Sequence, residues 1–132
     1  YDNDTQIKRK HIFDTYQAAF SKDSRFQVPV YVTDSKTGCY HLYPLRIKGI
    51  TEQQRDAIMK EIFDCDVSVN VHFIPVPSMT YYKNLGYDMK NYPVTYDNFS
   101  REISLPVFYN LTDEQTQTVI NAVISSVDRV LK

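Results

Sequence analysis

The 132-residue sequence contains no tryptophan, two cysteines and three glycines. Two cysteines, Cys39 and Cys65, are too few for a disulfide-rich scaffold, and they form no CxxC pair. Gly38, Gly49 and Gly86 are isolated, which excludes a glycine-rich phosphate loop; no Gly-x-Ser-x-Gly elbow and no His-Glu-x-x-His pattern is present either. His11, His41 and His72 lie about thirty residues apart with no metal-ligand spacing around them, so structural zinc is not expected. No charge of one sign dominates: fifteen Lys and Arg against sixteen Asp and Glu leave a net charge of −1, with little attraction for nucleic acid or anionic lipid. No apolar run approaches the roughly 20 residues that cross a bilayer, and the acidic start Tyr1-Asp2-Asn3-Asp4 lacks a signal-peptide pattern, so the expected compartment is the cytoplasm.

What is present describes one ordinary domain. Hydrophobic residues make up 42% and charged residues 23%, and a chain of this length can bury roughly two-thirds of its unfolded surface without staples. Eleven Tyr and seven Phe are many rings for the length. They suit a packed core and partly buried interfaces alike.

Ile7, Ile12, Phe13, Tyr16 and Phe20 predict a helix over Gln6–Phe20 with one apolar face. Phe26–Val32 reads as a strand interrupted by Pro29, and Cys39–Ile47 as its hairpin partner across the turn Asp34–Gly38. On that second strand His41, Tyr43, Leu45 and Ile47 share one face and Tyr40, Leu42 and Arg46 the other, so both faces are expected to be covered. Thr51-Glu52-Gln53-Gln54 is a capping box opening a helix with Ala57, Ile58, Ile62 and Phe63 as its buried stripe. Val67–Phe73 alternates strictly and predicts a strand, with His72 on its polar face beside the turn Ile74-Pro75-Val76-Pro77. A short Tyr-rich helix over Met79–Leu85 is closed by Gly86. Another short helix follows over Tyr96–Arg101, then a strand over Ile103–Phe108. Thr112–Gln115 repeats the capping box before a helix striped by Val119, Ile120, Val123, Ile124, Val127 and Leu131. This order predicts an α+β two-layer sandwich, a small, mainly antiparallel sheet covered by helices.

Chemistry-bearing residues are few. Asp64 and Asp66 flank Cys65, but a solvated connection explains them, and Cys65 shows no neighbouring cation that would activate it. His72 is the best single candidate: it either reaches a cleft beside the proline turn or is a half-exposed sheet histidine bonded to a loop.

An ordered set of short motifs resembles the C-terminal part of the DegT/DnrJ/StrS family of pyridoxal-phosphate-dependent sugar aminotransferases. The motifs are Val71-His72-Phe73-Ile74-Pro75-Val76-Pro77, Tyr81-Tyr82-Lys83-Asn84-Leu85-Gly86, Ser100-Arg101-Glu102-Ile103-Ser104-Leu105-Pro106 and Leu111-Thr112. Earlier, Tyr40-His41-Leu42-Tyr43-Pro44-Leu45-Arg46 and Gln54-Arg55-Asp56 agree as well. Two places depart from the family pattern: Cys65-Asp66-Val67 stands where Gly-Ile is usual, and Pro77 where many members carry a second His.

The resemblance implies that residues 1–132 are one domain, the small C-terminal domain of a longer chain; a start at Tyr1 rather than Met fits an excised piece. The missing N-terminal domain would hold pyridoxal phosphate on its Schiff-base lysine. The full enzyme, expected to be a homodimer, would move an amino group to a nucleotide-linked keto-sugar. It also implies that His72 lies at the substrate edge, that no residue of this chain is catalytic or cofactor-binding, and that the chain alone is inactive. The alternative is a stand-alone α+β interaction or ligand-binding module using Tyr81, Tyr82, Tyr87, Tyr92 and Tyr96.

Overall fold

The computed structural model describes residues 3–132; Tyr1 and Asp2 lie outside it. The chain runs α1 (Asn3–Phe20), β1 (Phe26–Gln27), β2 (Val32–Thr33), β3 (Lys36–Thr37), β4 (Tyr43–Ile47), α2 (Glu52–Phe63), α3 (Thr80–Asn84), α4 (Pro93–Ser100), β5 (Glu102–Leu105) and α5 (Asp113–Val130). Strands β1, β4 and β5 form an antiparallel sheet in that order, and β2 and β3 form a separate small hairpin. The α+β sandwich expected from the sequence is the observed architecture.

Register decides which side chains face the core. Tyr43 pairs with Leu105 and Leu45 with Ile103, so these four point to one side, and Pro44–Ser104 and Arg46–Glu102 point to the other. The first side packs on α1, α2 and α5 through Phe13, Tyr16, Phe20, Ile58, Ile62, Val119, Ile120, Val123 and Val127, all buried. Each such side chain contributes roughly 1.5–3 kcal/mol relative to exposure. Both capping boxes form as expected, with the Gln54 and Gln115 backbone N–H groups donating to the Thr51 and Thr112 hydroxyls at 3.2 and 3.1 Å. Gly86 follows α3 at φ +90°, a conformation that disfavours any residue with a Cβ.

Four sequence expectations are corrected. The predicted strand Cys39–Ile47 begins only at Tyr43, because Tyr40 takes a positive φ of 54° and breaks the two-residue alternation. Tyr40 is thereby buried against Phe13 and Tyr31, while His41 is exposed and meets the Arg9 guanidinium at 3.1 Å. The Phe26–Val32 strand is split, and Pro29 lies in the break between β1 and β2. On α2 the buried positions are Arg55, Ile58 and Ile62; Ala57 and Phe63 face outward.

The fourth correction concerns Val67–Phe73, which forms no strand. Asp66 at φ 58° turns the chain back after α2. Val67 and Val69 are buried as expected, but the segment pairs with β5 at a single bridge, Asn70–Ser104. One step further on, the His72 N–H goes to the Glu102 carboxylate at 3.1 Å instead of to a backbone carbonyl, and the ladder ends there.

Candidate functional site

The sheet face turned away from α1, α2 and α5 is closed by the 70–75 segment and by α4. Between them lies a cleft of about 320 Å3 whose lining includes Arg46, His72, Phe73, Asn98, Phe99 and Glu102. The floor follows from register, since Arg46 and Glu102 are cross-strand partners and Ser104 lies two residues from Glu102 on the same side.

Glu102 is the centre of the floor. It is 4% exposed, and its carboxylate accepts from the His72 N–H and from the Ser104 hydroxyl. Burial holds its carboxyl above the usual carboxylate range, against the lowering pull of those two donors and of the nearby His72 and Arg46. An acid with a raised pKa in the folded state stabilises the fold fully below its unfolded pKa, and that contribution is lost as pH rises through the folded value. Glu102→Gln removes this titration. Its stability relative to the parent chain is therefore expected to rise as the pH is raised above the ordinary carboxylate range, a trend that urea midpoints across a pH series would measure. A difference independent of pH would contradict it.

His72, the candidate singled out from the sequence, lines this cleft beside Glu102. Its peptide bond to Phe73 is cis, its ring meets Phe73 edge-on at 4.6 Å, and its buried Nδ1 has no hydrogen-bond partner. Arg46 presents a second such atom, its Nε. From α2, the buried Arg55 clamps the rim: its Nη1 donates to the carbonyls of Phe99 at 2.9 Å and Glu102 at 3.3 Å, and its guanidinium lies 5.0 Å from the Phe99 ring centre.

Sequence reasoning missed Glu102 and Arg55 as parts of a site. The available signal was Glu102-x-Ser104 on one face of an otherwise apolar strand, but its meaning depends on the β4 register. Cys65 also differs from expectation, since the fold brings Arg129 Nη2 to 3.7 Å from its Sγ. Among the described residues no group of three or more His, Cys, Asp or Glu side chains could hold a metal ion, and no helix is long and apolar enough to cross a membrane.

The family model of the DegT/DnrJ/EryC1/StrS aminotransferases matches residues 3–124. The chain belongs to that family. The spore coat polysaccharide biosynthesis protein SpsC of Bacillus subtilis is 31% identical to it over 126 residues, covering 92% of this chain and 32% of SpsC. A UDP-4-amino-4,6-dideoxy-N-acetyl-beta-L-altrosamine transaminase of Campylobacter jejuni is 25% identical over 126 residues, 95% of this chain and 33% of that protein. In structure, the PLP form of Spr1654 from Streptococcus pneumoniae, assigned as a sugar aminotransferase, superposes with a TM-score of 0.92 at 35% identity, over 97% of this chain and 32% of that one. The chain thus spans about a third of the length of the relatives it matches.

Pyridoxal phosphate is the family's cofactor, and Spr1654 has been solved in PLP and PMP forms. A lysine that carries it needs a lowered pKa, which desolvation or a neighbouring cation supplies. No lysine lines the cleft, and every lysine of the chain is exposed. Lys8 and Lys10 are pushed up instead, by the Tyr109 hydroxyl and the Asp14 carboxylate respectively. No lysine of this chain therefore sits in the desolvated setting that carrying the cofactor requires.

Proposed function

We propose that this chain is the small C-terminal domain of a longer pyridoxal-phosphate-dependent aminotransferase that aminates a nucleotide-linked keto-sugar. The observation that carries the reading is the family match over residues 3–124 in a chain spanning about a third of its relatives. The remaining two-thirds would supply the cofactor and its lysine, with the complete enzyme a cytoplasmic homodimer. The cofactor supplies the electron sink when bound. This chain's own part is to line and close the substrate cleft, with His72 at its edge.

The surface supports this reading over a stand-alone module. Phe73, Ile74, Val76, Met79, Tyr81, Leu85, Tyr87, Tyr92, Val94 and Tyr96 are all exposed within one stretch of chain, with Val94 at 74%. So much apolar surface from a single segment fits a face covered by the rest of a longer chain.

The test is an assay of the full-length enzyme with glutamate, added cofactor and a UDP-linked keto-sugar. The expected result is sugar-dependent formation of 2-oxoglutarate together with the amino sugar, and none from the 132-residue chain alone. Turnover by this chain alone, or none by the full-length protein with any nucleotide-linked keto-sugar, would overturn the proposal.

A further inference from the structure

The polar groups of the cleft are matched to a particular kind of ligand. Arg46 and Glu102 face each other across β4 and β5. Yet the two Glu102 oxygens take the His72 N–H and the Ser104 hydroxyl, while Arg46 Nε is buried without a partner. His72 Nδ1 is likewise buried and unpaired. Buried polar atoms left without partners are costly, and in a cleft they mark positions that a ligand's polar groups fill.

The charge of the lining separates the candidate ligands. Arg46 and Glu102 contribute one charge of each sign, and no lysine is present, so the cleft offers no surplus positive charge to a phosphate. A polyhydroxyl ring carries donors and acceptors together. Its hydroxyls can donate to Glu102 and accept from Arg46 Nε, while its C–H faces pack on aromatic rings. Phe99 from α4 and Phe73 from the opposite wall supply those rings, and Phe73 is 72% exposed although it lines the cleft. The volume, about 320 Å3, falls at the lower end of the usual range for ligand pockets, a size for one ring rather than a whole nucleotide sugar.

We propose that this cleft holds the sugar ring of the substrate, with Glu102 and Arg46 reading its hydroxyl groups and Phe73 and Phe99 covering its faces. The assignment rests on the sugar-aminotransferase reading and adds to it the residues that determine sugar specificity. It makes Glu102 and Arg46 binding residues; His72, held by its backbone to Glu102, completes the polar rim.

The experiment titrates the 15N-labelled 132-residue chain with N-acetylglucosamine, UDP-N-acetylglucosamine, UDP and inorganic phosphate, following backbone amide shifts. Both sugars are expected to move the amides of His72, Asn98, Phe99 and Glu102, and UDP and phosphate to leave them in place. Glu102→Gln and the half-buried Arg46→Gln should each weaken sugar binding by about tenfold. In the full-length enzyme they should raise KM for the keto-sugar with little change in kcat. Equal shifts with UDP or phosphate would make the cleft an anion site and overturn the proposal. So would no shift at these residues with any of the four compounds. A full-length protein without transamination would defeat the functional reading while leaving the sugar shifts as they stand. An active enzyme whose Glu102→Gln variant keeps its KM would defeat the cleft assignment alone.

Discussion

Replacing Arg55 with alanine is expected to lower the stability of the chain by about 3 kcal/mol. The side chain is 3% exposed and donates to the Phe99 and Glu102 carbonyls at 2.9 and 3.3 Å. The Phe99 carbonyl keeps the Arg101 backbone N–H when Arg55 is lost, so the Glu102 carbonyl bears most of the damage. A buried carbonyl left without a donor costs roughly 1–3 kcal/mol. The stacking of the guanidinium on Phe99 is lost as well. The remaining partners soften the loss: Asp56 at 2.6 Å and Glu52 at 3.5 Å are far more exposed than Arg55 and can turn to water. Arg55→Lys should recover only part of the stability, because one ammonium cannot serve the two carbonyls that Nη1 holds together with Asp56 at Nε and Glu52 at Nη2, nor stack flat on Phe99. Urea denaturation of the three proteins measures this. Because Phe99 and Glu102 line the cleft, their amide resonances should move in both variants. A loss below about 1 kcal/mol in the alanine variant would mean that water replaces the guanidinium and that the clamp is not structural.

Phe13→Ala should cost about as much or more, roughly 3–5 kcal/mol. Phe13 is 2% exposed and sits between three other rings, with centroids 5.2 Å from Tyr31, 5.4 Å from Tyr40 and 5.1 Å from Tyr43, all edge-on. These rings come from α1, β4 and the loops before β2 and β4, so no single element can collapse into the vacated space. The phenols around it are anchored: Tyr31 donates to Asp14 at 2.8 Å and Tyr43 to Gln17 at 3.1 Å. Burial, with the Asp14 carboxylate adding to it, pushes the Tyr31 phenol up to about 12. Phe13→Leu keeps most of the apolar volume and should lose less than half as much. Thermal or urea unfolding separates the two, and equal losses in both would contradict the cavity argument.

This cluster also shows what was legible in the sequence and what was not. The two capping boxes and the α5 stripe depend only on residues three or four apart; both boxes form, and Val119, Ile120, Val123 and Val127 of the stripe are buried, while Ile124 and Leu131 are only partly so. Gly86 after α3 is equally local. Tyr40 is not: its burial requires a left-handed backbone that a ring-filled pocket stabilises, and nothing in the alternation around it signals the break. Val67–Phe73 alternates like a strand, yet the other edge of β5 offers it one bridge before Glu102 takes the His72 N–H. His72 could be marked as a cleft candidate because a proline turn follows it. Glu102 and Arg46 could not, because their juxtaposition comes from the β4–β5 register, which pairs residues 56 positions apart. Arg55 reads as one more charge on a polar helix face until α4 and β5 are placed against it.

The central claim, that this is one domain of a larger sugar aminotransferase, is tested most directly by sequencing the coding DNA upstream of the Tyr1 codon. The expected result is an open frame roughly twice as long as the present chain, given the 32% coverage of its relatives, encoding the lysine that carries the cofactor. An initiator codon immediately before Tyr1 would contradict the claim and leave a self-standing module in its place.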